Sequence, residues 1–180
     1  MSENGTDTDF SRDKFIFEIM VNRYNELERK TNIIDSKSSN MIAVIGTLLT
    51  IQGSIYTFLL SWFINQKQYT LFCILILVLI MITLGYYTYS MKLFIDSYSF
   101  KQFKGFPNSN RLIEYIKQGC DEHEILGKSI GSIAKSNQKN HMLNQHKVKK
   151  AKEGFEFFKI AGIFSISFVF LFTLGILILN

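Results

Sequence analysis

The chain has 180 residues, enough for one modest domain or a membrane hairpin with a soluble appendage. Hydrophobic residues make up 47% of it and charged residues only 19%, yet the charges are absent from three long windows and dense elsewhere. That distribution excludes a soluble helical core, because the remaining sequence is too polar to bury windows of such length. The net charge of +5 comes with no basic-aromatic module, so no nucleic acid is expected as a partner.

Residues Met1 to Asp9 are small, polar and acidic, and are expected to be unstructured. The first forty residues hold no apolar stretch of the signal-peptide kind, so they are expected to be retained as a cytoplasmic tail and amphipathic helix. From Phe10 a helical pattern runs on. It carries a heptad with Phe17, Tyr24, Thr31 and Ser38 at a and Met20, Leu27, Ile34 and Met41 at d. A parallel dimer through this stripe would pair Arg23 with Glu28 and Lys30 with Asp35. Alternatively, the stripe packs on other helices of the same chain.

Met41–Ile64, Tyr69–Tyr89 and Ile160–Leu179 contain no charged residue. About 20 residues of helix cross a hydrocarbon core of about 30 Å, and the backbone in lipid must satisfy its own hydrogen bonds. The fold class expected is therefore all-α: an integral membrane protein with three transmembrane helices and cytoplasmic helical extensions. Residues 41–89 form a helical hairpin (41–64 and 69–89) closed by the connection Asn65–Gln68. Residues 90–159 are a cytoplasmic helical segment, and 160–179 are the third span.

The first span is the most polar. Thr47, Thr50, Ser54, Thr57 and Ser61 recur three and four apart and form one stripe, with Gln52 near the middle of the window on roughly the opposite face. Hydroxyls and small residues suit close helix approach, or a water path in an oligomer. Gln52 is costly to leave against lipid and is expected to meet another helix.

Beyond the second span, Gly105, Pro107 and Asn108–Asn110 interrupt the helical pattern. A short helix is expected over Arg111–Gln118, ending at Gly119. Asp121 and Glu124 form a capping-box pattern that opens a last helix, running on into the third span.

Twelve Lys and Arg residues flank the spans on one side and only Lys67 on the other. The positive-inside rule then places the protein in the cell membrane with a cytoplasmic N-terminus and Asn180 outside. Trp62, Tyr86 and Tyr87 fall near window ends, as interfacial aromatics do. At the cytoplasmic edge Asp35 is expected to pair with Lys152 or Lys159, and Lys37 with Glu156, clamping the first and third spans.

No catalytic motif holds. Gly127-Lys128-Ser129 lacks the earlier glycine of a phosphate loop, since position 122 is Glu122. Cys120, His123, His141 and His146 have a faint metal-site look, but His141 and His146 are five apart and do not share a helix face. Cys73 lies in a span and Cys120 outside, so no disulfide is expected. The chain is thus expected not to be an enzyme, and to need no cofactor or metal.

Glu28-Arg29-Lys30 leads to Ile34-Asp35-Ser36-Lys37-Ser38 and then to Ile45-Gly46-Thr47-Leu48-Leu49. Asn137, Asn144 and Lys147 precede Ala151 and an aromatic-rich span. This layout, over most of residues 24–170, resembles the small prokaryotic membrane effectors of the Pycsar transmembrane effector and SLATT type. The resemblance implies an oligomerising effector or sensor that perturbs the membrane in defence, with a nucleotide second messenger as trigger. The alternative is a structural or partner-binding membrane scaffold with no ligand.

Overall fold

A computed structural model describes residues 4–65, 70–99, 103–105 and 109–179. These form four helices: α1 (Asn4–Asn65), α2 (Thr70–Ser99), α3 (Ser109–Lys117) and α4 (Glu122–Leu179). Among the described residues there is no strand. Three of the helices, α1, α2 and α4, are long and apolar enough to cross a membrane.

α1 begins at Asn4, so helix replaces the unstructured stretch expected up to Asp9. Thr6 to Asp9 hold no proline or glycine to stop it, and early acidic residues favour the positive end of a helix. The connection at 66–68, with Lys67, and the turn at 106–108 lie outside the described residues, as does Asn180.

Short-range chemistry sets the α3–α4 joint. Gly119 adopts φ +75°, a left-handed conformation that glycine takes without a Cβ penalty. Cys120 N–H then reaches Tyr115 O (3.2 Å) and Gly119 N–H reaches Ile116 O (3.1 Å), the paired bonds of a Schellman cap. Asp121 Oδ1 accepts from Glu124 N–H at 2.7 Å and so caps α4. The reciprocal half of the expected box gives way to an ion pair between Glu124 and Lys128, at 2.7 Å.

The helices distribute over two compact units. The first comprises Met1–Ile33 and Phe100–His146, the second Ile34–Ser99 and Lys147–Asn180. α1 and α4 contribute to both.

In the second unit α2 runs antiparallel to the other two helices. Ser38 meets Ser97 and Leu59 clusters with Ile76, while Asp35 meets Lys147 and Gln52 meets Ser165. Each helix turns one three-four stripe inward. On α2 the stripe is Ile80, Thr83, Tyr87, Ser90, Phe94 and Ser97, all buried. On α4 it runs through Lys147, Ala151, Gly154, Phe158, Ala161 and Ser165. At Gly154 α4 comes close to α2: a Cβ there would lie 3.2 Å from the Phe94 ring and 3.3 Å from Leu93 Cβ.

The outward faces of α2 and α4 are largely apolar, and that of α1 mixes apolar side chains with hydroxyls. Phe58 is 72% exposed, Leu71 84% and Ile166 72%. A soluble protein rarely leaves so continuous an apolar surface open, so the three helices suggest a multi-pass membrane protein.

In the first unit the a and d residues Tyr24, Leu27 and Thr31 are buried. Leu27 and Thr31 are bonded to Asn144 on α4 of the same chain, and Tyr24 is edge-on to Phe103 at 5.3 Å between ring centres. Intrachain packing therefore occupies the heptad stripe there. Lys30 binds Glu26 one turn back at 2.6 Å, and Asp35 binds Lys147.

Candidate functional site: polar layers inside the helices

Polar residues placed on the inward stripes must find partners, because a buried polar group without a hydrogen bond costs several kcal/mol, about 2–7 by transfer data. The second unit satisfies this requirement in successive layers.

At its start, Lys147 Nζ contacts both carboxylate oxygens of Asp35, at 2.6 and 2.8 Å. The lysine side chain is 5% exposed and the aspartate 26%. Neither expected partner, Lys152 or Lys159, is the cation here; Asp35 is joined to α4 by Lys147 instead. Lys152 lies five positions beyond Lys147, about 140° further round a 3.6-residue helix, and Lys159 about 120° further. Both are exposed. Lys159 pairs with Glu156 on its own helix at 2.7 Å and lies over the Phe155 ring. Glu156 is therefore not the partner of Lys37, which is exposed.

The next bonds tie in α2. Ser38 Oγ–H donates to Ser97 Oγ (3.1 Å), whose proton goes to the Lys147 carbonyl (3.0 Å). Ser90 Oγ–H donates to the Gly154 carbonyl at 2.7 Å.

Further along, Ser165 is a junction of three helices. Its hydroxyl donates to Ala161 O (2.9 Å) and accepts from Gln52 Nε2 (2.7 Å) and from the Tyr87 hydroxyl (3.2 Å). One proton and two lone pairs are all in use, so the Tyr87 hydroxyl must be the donor in that contact. Gln52 meets another helix, as its cost against lipid demands. A cavity of about 20 Å³ adjoins the junction, lined by Gln52, Tyr56, Ile80, Thr83, Ser165 and Phe168. Past it the core is aliphatic and aromatic: Leu59, Ile76, Phe72, Phe168 and Phe172. In one half of this unit's interior the polar contacts alternate with the apolar cluster of Ile45, Tyr87, Phe94 and Ala161, and in the other half the side chains are apolar throughout.

The hydroxyl stripe of the first span lies elsewhere. Thr47, Thr50, Ser54, Thr57 and Ser61 are all exposed, on the face turned away from the bundle. The first four hydroxyls bond the carbonyls four residues back, at 2.9–3.0 Å. Those four hydroxyls are thereby satisfied within their own helix.

The first unit is held by asparagines of α4. Asn144 Nδ2 donates to Leu27 O (2.9 Å) and its Oδ1 accepts from Thr31 (2.7 Å). Asn140 grips the Lys104 peptide on both sides, accepting from its N–H (2.8 Å) and donating to its C=O (3.0 Å). Asn137 donates to Met20 O at 2.9 Å, while its buried Oδ1 has no partner among the described residues. His123 contacts Asp13 (3.2 Å) and His141 contacts Gln145 (3.1 Å), so these two histidines have different partners.

Sequence reasoning missed Lys147 as the cation, and Ser97, Ser90, Tyr87 and Ser165 as bonding partners. The available signal was the three-four spacing of Asn137, Asn140, Asn144, Lys147, Ala151 and Gly154, which puts them on one helix face.

Compared with protein-family models, with curated proteins and with solved structures, the chain finds no match. The functional reading therefore rests on residues and geometry.

Proposed function

We propose that this is a non-enzymatic, multi-pass membrane protein that acts as an effector or sensor, with the second unit in the bilayer and the first in the cytoplasm. The twelve-to-one basic asymmetry supports a cytoplasmic N-terminus and an external C-terminus in the cell membrane.

The observation that carries the effector reading is the layering of polar contacts inside the apolar unit. An ion pair, a serine relay and the Gln52–Ser165–Tyr87 junction each join different helices. Such groups add little net stability compared with a well-packed apolar core, but they penalise every other register. A bundle specified in this way suits a protein held in one state until a signal favours another.

Two further features fit. The small hydroxyl face of α1 is open, and small residues allow a second copy to approach closely, which favours a homo-oligomer. In the first unit a groove is lined by Asn22, Arg23, Glu26, Lys30 and His141, with Lys30 paired to Glu26 inside it. Arg23 and the Asn22 amide would there meet an anionic signal such as the nucleotide second messenger that the family resemblance implies. The scaffold alternative is favoured by Ile113, Ile116 and Met142, which are exposed at 49%, 64% and 63% in the polar unit and could hold a protein partner.

The test is controlled expression in cells carrying a membrane-potential dye, with and without nucleotide signals. Signal-dependent depolarisation supports the effector. Harmless accumulation at the membrane under every condition favours the scaffold.

A further inference from the structure

The cavity beside Gln52 has the size and the chemistry of a site for one water molecule. A water needs roughly 10–15 Å³ or more of such space and two to four polar partners. The cavity offers about 20 Å³. Its polar lining includes the Gln52 amide, of which only Nε2 is engaged, on Ser165. The Gln52 carbonyl oxygen takes no hydrogen bond from the described protein. Thr83 Oγ1 gives its proton to Leu79 O at 2.8 Å and keeps its lone pairs free. Ser165 is already saturated by its three bonds. Gln52 and Thr83, which carry the two remaining acceptors, line a space whose other walls are Ile55, Tyr56, Ile80, Ser165 and Phe168.

We propose that this cavity is a structural hydration site, where one water donates one hydrogen bond to Gln52 Oε1 and one to Thr83 Oγ1, joining α1 to α2. Gln52 thereby links both neighbouring helices, through its nitrogen to α4 and through water to α2. In hydrocarbon no solvent can satisfy an amide oxygen, so a bound water is the least costly partner available. The site rests on the membrane-spanning reading of the three helices and is independent of the effector role.

The experiment is water-edited solid-state NMR of the full chain in phospholipid bilayers, reading magnetisation transfer from water to the Gln52 side-chain amide. Transfer is expected in the wild type and in Thr83→Ser, which keeps the hydroxyl. It is expected to be lost in Thr83→Val, while Ile166 on the outer face stays dry throughout. No transfer to Gln52 in the wild type, or transfer unchanged in Thr83→Val, overturns the site. Equal transfer to Gln52 and Ile166 overturns the site and the spanning reading together.

Discussion

Lys147 grips both carboxylate oxygens of Asp35 from a position where its own side chain is 5% exposed. The lysine is nearly enclosed and the aspartate only partly, so the two ends of the pair differ in what their removal leaves behind. Lys147→Met removes the cation and leaves a half-dry carboxylate. It should cost about 2 kcal/mol, less than the roughly 3–5 of a fully buried pair because Asp35 keeps some solvent. Adding Asp35→Leu should recover part of that loss, since two apolar groups need no partner. Lys152→Ala and Lys159→Ala should stay within about 0.5 kcal/mol of the parent. Denaturant unfolding in detergent, arranged as a double-mutant cycle, measures all four. Equal costs for the Lys147 and Lys159 replacements would contradict the pairing.

A Cβ on Gly175 would overlap the Phe72 ring at Cζ and Cε1, closer than non-bonded carbons can sit. Gly175→Ala must therefore displace the Phe72 ring and should destabilise by about 1–3 kcal/mol, the usual range of overpacking. Gly162→Ala, with open space at its Cβ, should be neutral or slightly stabilising by helix propensity. Thermal melts of the two variants should separate clearly.

Asn144 and Asn137 occupy equivalent stripe positions with unequal bonding. Asn144 uses both ends of its amide, whereas Asn137 leaves Oδ1 without a partner. Asn144→Leu removes two bonds across to α1, leaving Thr31 its bond to Leu27 O (2.9 Å), and should cost more than Asn137→Leu, which also removes an unsatisfied oxygen. The expected gap is about 1–2 kcal/mol. Comparable unfolding midpoints for the two variants would count against this ranking.

The Lys128 ammonium bound to Glu124 holds that carboxyl below its usual range, and the same contact raises Lys128. A depressed carboxyl stabilises the fold above its unfolded-state value and loses that contribution as pH falls through the folded one. The raised lysine contributes below its unfolded-state value and loses its contribution as pH rises through the folded one. The pair should thus be neutral to pH across the middle range and weaken at both extremes. Carboxyl carbon NMR titration should show Glu124 moving up towards its ordinary value in Lys128→Met. An unmoved titration would remove the ion pair as the cause.

Much of this molecule is legible in its residues taken in order. Three charge-free windows define three long apolar helices, since only a helix closes its own backbone bonds over such a length. Gly119 and Asp121 mark the joint between α3 and α4 through local bonds. The a and d stripe from Phe17 to Met41 names a face that packs. Partners are another matter. Periodicity states which side of a helix turns inward but not which helix it meets or at what axial offset, and each residue of offset turns the contact by about 100°. Asp35 therefore found Lys147 rather than Lys152, and Gln52 found Ser165. The hydroxyl stripe, which a sequence could place equally well inside a bundle or outside it, lies outside because Ser38, Ile45, Gln52 and Leu59 on the opposite face fill the interior. Only the packing of all three helices together decides such rotations, since each is chosen by contacts distant in sequence.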